Sequence, residues 1–353
     1  MDHAASRLWA RAAEVDQTLR VPPRQWPALR ARLVRPACYS RELLFRKMAE
    51  GEVVIFHDLP VRLHAHPHPL SEAGLASLVR DAFPRSQRAC TQVGPSRTQR
   101  HLRVAEVIDR WLRSRALLGV TDLHLRRTRF DTRVDTSSLS DFNVLCGDRL
   151  LEDSLEMMTM VISSAGNFTD SHADDCDGSN HCFVGQKLWL AWDRVAGSAL
   201  GFGDVDRDAL TTQAAFDLGA FLSMKRSRWF LVGRGQTLCL PGHLAHKVIT
   251  LERYIGLGSF HLGLPGALRA LRRWILNDSL DVAPQGLLGR ISDALSGRMD
   301  RLARSSDATR RSWGIPEARG AVRRWRRGAP KAEQERLTRH PAFARFVGSK
   351  LLQ

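Results

Sequence analysis

The sequence predicts an α+β protein whose central part is built from β-strands. Residues 1–119 have a mainly helical pattern, and residues 266–353 return to one. Between them, residues 120–265 hold many short strand-like runs separated by Gly, Pro, Asn and Asp. Many short strands divided by turn residues are typical of a sandwich or a barrel. We therefore expect a helical N-terminal region, a β-core and a basic helical C-terminal region.

The N-terminal region is predicted to be helical because apolar side chains recur at helical spacing. The first such run consists of Leu8, Ala12, Val15 and Leu19, and Pro22 and Pro23 interrupt it. Three further elements are predicted: a strand at 53–56, a helix at about 72–83 capped by Ser71, and a longer helix from Ser96 or Thr98 to Leu118, ended by Gly119.

The β-core is predicted from runs of β-branched, aromatic and aliphatic residues between turn signals. The predicted strands lie at 123–130, 157–163, 182–192, 229–232, 238–240, 246–250 and 253–262, and one helix is expected around 206–224.

Composition limits the class of protein. Hydrophobic residues make up 43% and charged residues 25%, which excludes wholesale disorder. No stretch approaches the ~20 apolar residues that a membrane span requires. The N-terminus has no apolar signal-peptide segment, and the six cysteines lack CxxC spacing. We therefore expect a cytoplasmic protein with free thiols and no membrane partner.

The positive charge is large and comes mainly from arginine. The formal net charge is +16, and only six of the 53 basic residues are lysines. This bias indicates a GC-rich genome, so a lysine is an unusual choice here. Residues 266–353 hold 19 basic and eight acidic residues. Such a region can bind a phosphate backbone, but we favour a solvated helical face over a nucleic-acid site.

The C-terminal region also carries an apolar stripe at helical spacing. Its members are Leu280, Leu287, Leu288, Ile291, Leu295, Met299 and Leu302. A stripe of this kind must be buried, either on the core or against a second copy of the chain. A homodimer through the C-terminal helices is therefore one expectation.

The residues that carry chemistry begin with an H-x-D pair, His172 and Asp174. On a strand, residues i and i+2 point the same way, so both can contact one ion. His246 is the best third ligand, because it opens a predicted strand after the Pro241 turn. His243 is a less favoured alternative. Two histidines and a carboxylate form the facial triad of non-haem Fe(II) oxygenases, which leaves metal positions open.

Those open positions can accept a bidentate 2-oxo acid and then O2. The distal carboxylate of such a cosubstrate needs a buried cation and a hydroxyl donor. Lys187, on the strand after the H-x-D pair, offers an ammonium group, and Thr169 offers a hydroxyl.

Together these segments resemble the JmjC-domain 2-oxoglutarate oxygenases. The matching elements, over roughly 120–265, are Thr169-x-x-His172-x-Asp174, Gly185-x-Lys187, Pro241-x-x-x-x-His246 and the segment Gly256-Leu257-Gly258-Ser259-Phe260-His261. The part from Thr169 to Asp174 is most similar to the F-box and PHD-finger lysine demethylases. The resemblance implies a double-stranded β-helix, that is, a cupin-like jelly roll.

The resemblance also implies roles for individual residues. It implies Fe(II) held by His172, Asp174 and His246, and 2-oxoglutarate held by Thr169 and Lys187. Trp189 matches a position where some members pack an aromatic ring against the cosubstrate. Ser259 stands where many members have asparagine, so local hydrogen bonding there departs from the family pattern.

The reaction implied is O2-dependent hydroxylation of an unactivated C–H bond, with 2-oxoglutarate converted to succinate. We favour an amino-acid-like, peptide or protein substrate. The alternatives are N-demethylation of a methylated amine or lysine, a cupin isomerase or phosphatase that uses the metal without 2-oxoglutarate, and a non-catalytic cupin whose basic helices bind nucleic acid.

Three further groups of polar residues have competing interpretations. Asp170, Asp175 and Asp177 either attract a cationic substrate or balance nearby arginines. Cys176, His181 and Cys182 lack the spacing of a structural zinc site, so we expect core or rim residues. His64, His66 and His68 are expected in an exposed proline turn.

Overall fold

A large antiparallel sheet with helices on both sides forms the protein, as seen in a computed structural model. The structure describes residues 3–64, 71–113, 116–155, 158–200, 216–276 and 284–353. The expected α+β class is confirmed. Among the described residues, no helix combines the length and the apolar character needed to cross a bilayer.

The strands and helices are numbered in chain order. The strands are β1 Val54–Phe56, β2 Arg62–Leu63, β3 Arg88–Val93, β4 Thr98–Arg103, β5 Leu118–His124, β6 Val134–Asp135, β7 Thr159–Ser163, β8 Phe168–His172, β9 Asp177–Asp193, β10 Arg228–Gly233, β11 Thr237–Leu240 and β12 Leu244–His261. The helices are α1 His3–Val15, α2 Trp26–Arg30, α3 Arg41–Glu50, α4 Glu72–Ala82, α5 Val104–Arg113, α6 Ser137–Ser140, α7 Arg149–Ser154, α8 Arg194–Ala199, α9 Leu218–Ser223, α10 Leu264–Leu276, α11 Pro284–Ala303, α12 Asp307–Ser312, α13 Ile315–Gly328, α14 Lys331–Thr338 and α15 Pro341–Gly348.

The main sheet has ten strands, and its longest path runs β1-β11-β9-β12-β7-β5-β3-β4. Strand β10 adds to β9 and strand β8 adds to β12, which makes the sheet branch. All of these pairings are antiparallel. Strands β2 and β6 form a separate two-stranded sheet.

The sheet branches because the two halves of β9, and likewise those of β12, pair with different strands. Residues 244–252 of β12 pair with β8 and with residues 186–193 of β9. Residues 255–261 of β12 pair with residues 177–184 of β9, and β7 joins them there. Gly185, at the junction in β9, has φ +90°, and a Cβ there would lie 2.0 Å from the Arg253 carbonyl oxygen. Only glycine fits this junction.

The two groups of strands form two halves of the branched sheet, which enclose an apolar interior and are covered by helices on their outer faces. The interior cluster includes Trp189, Phe230 and Tyr254. Helices α1, α2 and α9 cover the outer face of the β8-β12-β9-β10 half, where Trp9 packs edge-on against Trp229 at 5.4 Å. Helices α3, α4 and α5 cover the other half. This arrangement places side chains of the second half of β9 and the first half of β12 in distinct inner and outer environments.

The C-terminal helices form an apolar cluster of their own against the β-core. The described members of the predicted stripe on α11 are buried or partly buried within the chain: Leu287, Leu288, Ile291, Leu295, Met299 and Leu302. Leu280 lies outside the described residues. The stripe therefore packs inside one chain, and it no longer argues for a homodimer.

The helix predicted from Ser96 or Thr98 to Leu118 is wrong over most of its length. Residues 98–103 form β4, the helix α5 occupies only Val104–Arg113, and Leu118 begins β5. The turn before β4 contains Gly94 and Arg97, both with positive φ. This turn lets β4 fold back on β3, and cross-strand pairing overrides the local helical pattern.

The other predicted elements agree more closely, except that the strand predicted at 123–130 is wrong beyond His124, where β5 ends. The strand at 53–56 and the helix capped by Ser71 are confirmed as β1 and α4. The strands predicted at 246–250 and 253–262 form one continuous strand, β12. Of the helix expected around 206–224, the described part is α9, and residues 201–215 lie outside the described residues.

Candidate metal centre

The fold brings His172, Asp174 and His246 together. His172 ends β8 and is the direct cross-strand partner of His246 near the start of β12. The Nε2 atom of His172 lies 3.9 Å from Asp174 Oδ1, and that of His246 lies 3.8 Å from Asp174 Oδ2. The two imidazole rings are 4.1 Å apart between centroids. The three side chains can therefore contact one metal ion.

Both imidazoles are oriented by backbone carbonyls. The Nδ1 atom of His172 lies 2.8 Å from the Asp170 carbonyl oxygen, and that of His246 lies 3.0 Å from the Leu244 carbonyl oxygen. A carbonyl oxygen only accepts, so each Nδ1 carries the hydrogen and donates. Each Nε2 then keeps its lone pair and faces Asp174. Metal-ligating histidines characteristically use their second nitrogen in this way.

Burial keeps the His246 imidazole neutral. Its side chain is 2% exposed, and burial, together with the neighbouring His172, lowers its pKa to about 4. A neutral imidazole and a carboxylate are the protonation states that a divalent metal needs. Two bonds of about 2.1 Å to one ion span at most about 4.2 Å, so the observed Nε2–carboxylate distances fit an ion between them.

A bulge in β8 explains the Thr-x-x-His spacing. His172 pairs with His246 and Thr169 pairs with Val248, so two residues of β8 between these pairs oppose one residue of β12. The extra residue re-aims the strand, as β-bulges do. Thr169 and His172 thereby face the same side of the sheet although they are three positions apart.

The inner face of the sheet carries the predicted cosubstrate residues in successive rows. His246 pairs with Ala191 in the first row. Val248 pairs with Trp189 in the second, which Thr169 joins from β8. Thr250 and Lys187 form the third row. Directly paired residues on neighbouring strands point to the same face of the sheet, so all three rows lie on the inner face.

Trp189 forms a wall next to the metal ligands. Its indole ring stacks on the His246 imidazole with centroids 5.5 Å apart and an interplanar angle of 30°. It also stacks on Phe230 of β10 at 6.2 Å. Trp189 therefore restricts the orientation of His246 and separates the metal ligands from the apolar interior. This is the neighbourhood in which the resemblance expects an aromatic ring.

Lys187 is buried on this inner face without a carboxylate. Lys187 is 3% exposed, and burial lowers the pKa of its amine to about 7. The ammonium nitrogen lies 4.4 Å from the centre of the Tyr254 ring, a cation–π contact. None of the carboxylates in the described parts of the chain forms an ion pair with Lys187. A buried cation with so little compensation favours binding of an anion.

Three residues at this end of the site were missed by sequence reasoning. Thr250 is the direct partner of Lys187, and Tyr254 lies beneath the lysine, with its hydroxyl donating to Asn180. The alternation His246, Val248, Thr250 was visible in the sequence and could have pointed to Thr250. Tyr254 and Asn180 could not be found in that way, because they come from the strand halves beyond the Gly185 junction.

Ser259 lies apart from the other predicted site residues. It pairs with Ser179, whose hydroxyl is 2.8 Å from His261 Nε2. Alternation along β12 places Ser259 on the face of Ile255 and Leu257, which belong to the outer apolar cluster. Tyr254, which contacts Lys187, lies on the opposite face. The structure therefore does not bring Ser259 to the inner face.

The acidic residues around the H-x-D pair are all engaged by arginines. Asp170 pairs with Arg97, Asp175 lies 3.9 Å from Arg273, and Asp177 pairs with Arg269. The structure thus supports the balancing role over the attraction of a cationic substrate.

The other histidine and cysteine candidates are not part of the metal-ligand group. His243 contributes its backbone N–H to the Asp174 carbonyl oxygen at 2.7 Å, and its ring is not among the metal-capable side chains. Buried His181 contacts the Thr237 hydroxyl at 2.8 Å. Cys176 and Cys182 belong to different apolar clusters. His66 and His68 lie outside the described residues.

A second group of possible ligands lies on the surface. Cys38, His57 and Asp58 bring their ligand atoms within 4.8 Å of one another, but all three are exposed. The Asp58 carboxylate already accepts a hydrogen bond from the Tyr39 backbone at 2.6 Å. The backbone carbonyl contacts that orient both histidines of the buried group are not seen for His57.

Comparisons with known proteins do not assign this chain to a family. No family model matches it, and no curated protein matches it either. The chemistry of the site must therefore be inferred from its own geometry. That geometry combines a metal-capable His172–Asp174–His246 group with a buried lysine on the same inner face of the sheet.

Proposed function

We propose that the protein is an Fe(II)- and 2-oxoglutarate-dependent oxygenase of the JmjC type. It would hydroxylate an unactivated C–H bond of an amino-acid-like, peptide or protein substrate. The observation that carries this proposal is the shared inner face of the His172–Asp174–His246 group and Lys187. A metal site alone would fit many cupin-type activities, whereas a buried cation beside it fits a dicarboxylate cosubstrate.

The strand pairing supports a double-stranded β-helix core. Eight strand segments form two antiparallel groups of four, and the halves of β9 and β12 contribute to both. One group has the order β8-β12-β9-β10 and the other β7-β12-β9-β11. Two such groups facing each other across an apolar interior are the arrangement expected of a jelly roll.

The donor set fits Fe(II). His172, Asp174 and His246 would hold the ion through two Nε2 atoms and one carboxylate, which leaves coordination positions for other ligands. When bound, iron and 2-oxoglutarate would supply O2 activation coupled to decarboxylation, with succinate as the coproduct. The chain itself orients both imidazoles and keeps that of His246 neutral.

The inner face would also orient the cosubstrate. The Lys187 ammonium would bind the distal carboxylate, and its binding would hold the amine in the charged form that burial otherwise disfavours. The Thr169 hydroxyl lies in the row between the lysine and the metal ligands, where it can donate to the same carboxylate. The Trp189 ring would exclude water from one side of the bound cosubstrate.

An anaerobic optical titration tests this proposal. Apoprotein receives Fe(II) and then 2-oxoglutarate, and a weak visible charge-transfer band should require both. The Lys187→Met variant should bind iron normally and lose most of the band, whereas the matched variant Lys225→Met, at an exposed lysine, should behave like the wild type. Iron binding without any band would favour a cupin that does not use 2-oxoglutarate.

Product analysis then separates the two oxidative outcomes. Hydroxylation releases succinate and leaves oxygen on the substrate, whereas N-demethylation also releases formaldehyde. Succinate without formaldehyde supports hydroxylation. Release of formaldehyde in a stoichiometric amount would show that the reaction is demethylation of a methylated amine instead.

A further inference from the structure

A groove of about 1020 Å³ separates the metal-binding end of the β-core from the C-terminal helices. One wall is the turn formed by residues 241–244 together with the start of α8. The other wall consists of α10 and α13. Leu268, Leu276 and Trp325 contribute apolar surface to it. The groove is thus an extended surface with mixed polar and apolar walls.

The described walls of the groove are rich in arginine. They contain Arg194, Arg226, Arg269, Arg272, Arg273 and Arg324, against the carboxylates Glu50, Asp193 and Glu333. The carboxylates have partners of their own. Glu333 pairs with Arg272 at 2.7 Å and accepts from the Trp325 indole at 3.2 Å, while Asp193 caps α8. Arg269 and Arg273 are paired with Asp177 and Asp175, so the positive charge that the lining offers to an anion comes mainly from the exposed Arg226 and Arg324.

His243 adds an unsatisfied polar group to the groove wall. Both of its ring nitrogens are buried and have no hydrogen-bond partner among the described residues. Burial and the neighbouring guanidinium groups of Arg273, Arg269 and Arg194 lower the imidazole pKa well below its ordinary value. A buried donor and acceptor without partners are costly. A ligand with its own donors and acceptors could satisfy them.

The groove and the metal centre share one turn. The His243 backbone N–H donates to the Asp174 carbonyl oxygen at 2.7 Å. The carbonyl oxygen of Leu244, which lines the groove, accepts from His246 Nδ1 at 3.0 Å. The turn at 241–244 therefore connects the groove wall to the backbone of Asp174 and to the ring of His246, although none of the three metal-capable side chains lines the groove.

We propose that this groove binds an acidic segment of a peptide or protein substrate and so presents a neighbouring residue to the metal centre. This inference rests on the proposed oxygenase function and names its substrate class. Guanidinium groups bind carboxylates through paired hydrogen bonds. The volume lies at the upper end of the range for small-molecule pockets, which favours an extended ligand.

The same lining argues against single-stranded nucleic acid. Such sites stack successive bases on exposed aromatic rings. Trp325 is the aromatic side chain lining the described walls, and it is 9% exposed because it packs against Phe343 at 4.9 Å. Carboxylates on a flexible peptide need no such stacking platform.

Fluorescence anisotropy with defined peptides tests the proposal on the full-length protein without added iron. The probe is a labelled peptide of alternating Glu and Ala, and the comparison probe alternates Lys and Ala. The Arg226→Glu/Arg272→Glu variant should weaken binding of the acidic probe by roughly tenfold or more. Arg304→Glu/Arg311→Glu carries the same charge change at exposed positions outside the groove, and should weaken it by less than about threefold.

A second variant works in the opposite direction and guards against a folding artefact. Glu333→Gln removes a carboxylate from the groove and should tighten binding of the acidic probe by about twofold to threefold. Equal weakening by both double variants would show attraction by net charge alone and overturn the proposal. Random single-stranded RNA that binds more tightly and responds to the same groove variants would overturn it in favour of nucleic acid.

The outcome is independent of the oxygenase test, because no iron is required for probe binding. Binding of the acidic probe with a failed optical titration would overturn the proposed function and leave the groove site intact. A normal titration without probe binding would overturn only the acidic-peptide site.

Discussion

Two buried lysines on the same sheet have opposite surroundings. Lys187 is 3% exposed and Lys247 is 7% exposed. Lys247 faces outwards and forms a 2.7 Å ion pair with Asp16, which also accepts hydrogen bonds from Thr18. Lys187 faces inwards, where its ammonium group lies over the Tyr254 ring and has no carboxylate partner among the described residues.

The difference separates a lysine whose charge is satisfied within the chain from one for which we propose a cosubstrate as the partner. The outer face of the sheet supplies the counter-ion that Lys247 needs, so that charge is satisfied within the chain. The inner face leaves the charge of Lys187 uncompensated, next to a metal-capable group. An uncompensated buried charge is costly, and a dicarboxylate cosubstrate would remove that cost.

The largest effect is expected at the metal ligands on the inner face. His246→Ala should lower Fe(II) affinity by at least about 100-fold, because it removes a ligand whose orientation the chain has already fixed. His57→Ala, in the exposed Cys38–His57–Asp58 group, is the matched control and should leave the stoichiometry unchanged. Metal content after gel filtration measures both. Equal loss in the two variants would mean that burial and orientation do not select the site.

Exchange of each lysine for methionine should produce opposite results. Lys187→Met should weaken 2-oxoglutarate binding roughly 100-fold, because a buried charged hydrogen bond is lost, and should not lower the free energy of unfolding. Lys247→Met should leave cosubstrate binding intact and cost about 3 kcal/mol of stability, since Asp16 loses its cation. Calorimetric titration measures the 2-oxoglutarate affinity of each variant, and urea unfolding measures the free energy of unfolding of each. A loss of 2-oxoglutarate affinity in fully folded Lys247→Met would contradict the different roles of the two lysines.

The pH dependence should follow the inner lysine. Burial lowers the pKa of Lys187 from 10.5 to about 7, so between these values the unfolded chain binds more protons than the folded protein. The contribution of Lys187 to the free energy of unfolding should therefore rise with pH from about 7 upwards. Affinity for 2-oxoglutarate should fall over the same range, by up to about tenfold per pH unit, because the bound anion needs the ammonium form.

The matched measurement at the outer lysine involves Asp16. Burial acts to raise the pKa of Asp16, but the hydrogen bonds from Lys247 and Thr18 outweigh it and lower the pKa below 3.8. The stability from this pair should be present at neutral pH and lost as the pH falls through the lowered pKa. Urea unfolding of the wild type and the two methionine variants from pH 3 to pH 9 separates the two lysines. A pH-independent 2-oxoglutarate affinity would contradict the assignment of Lys187.

Sequence reasoning found the residues at the metal end because their pattern is local. His172 and Asp174 are two positions apart on the chain, and the Pro241 turn marks the start of the strand that carries His246. The Thr169 spacing also reflects local structure, namely the bulge in β8. The class of the fold and most core strands were predictable for the same reason, since each strand shows its own hydrophobic pattern.

The remaining features depend on contacts that no local pattern encodes. Strand β4 replaced the beginning of a predicted helix, because pairing with β3 outweighed the local helical signal. Ser259 lies one position out of phase with the inner face of β12, and only the register decides that. The arginine groove joins α10 and α13 to the turn at 241–244, far apart in sequence.

The smallest predicted effect sharpens the contrast within the inner face itself. Thr169 lies in the row between the metal ligands and Lys187, whereas Thr250 lies in the row of Lys187. A cosubstrate that reaches from the metal to the lysine must pass the middle row. Thr169→Val should therefore weaken 2-oxoglutarate binding by about threefold to tenfold, the value of one hydrogen bond.

Thr250→Val should then change that affinity by less than about twofold, because the hydroxyl assigned to the carboxylate is that of Thr169, one row nearer the metal. Both substitutions keep the branched shape of threonine, so stability serves as an internal control, and calorimetric titration compares the two variants directly. A larger loss in Thr250→Val would move the carboxylate into the row of Lys187. It would make Thr250, a residue that no sequence motif identified, the hydroxyl donor of the site.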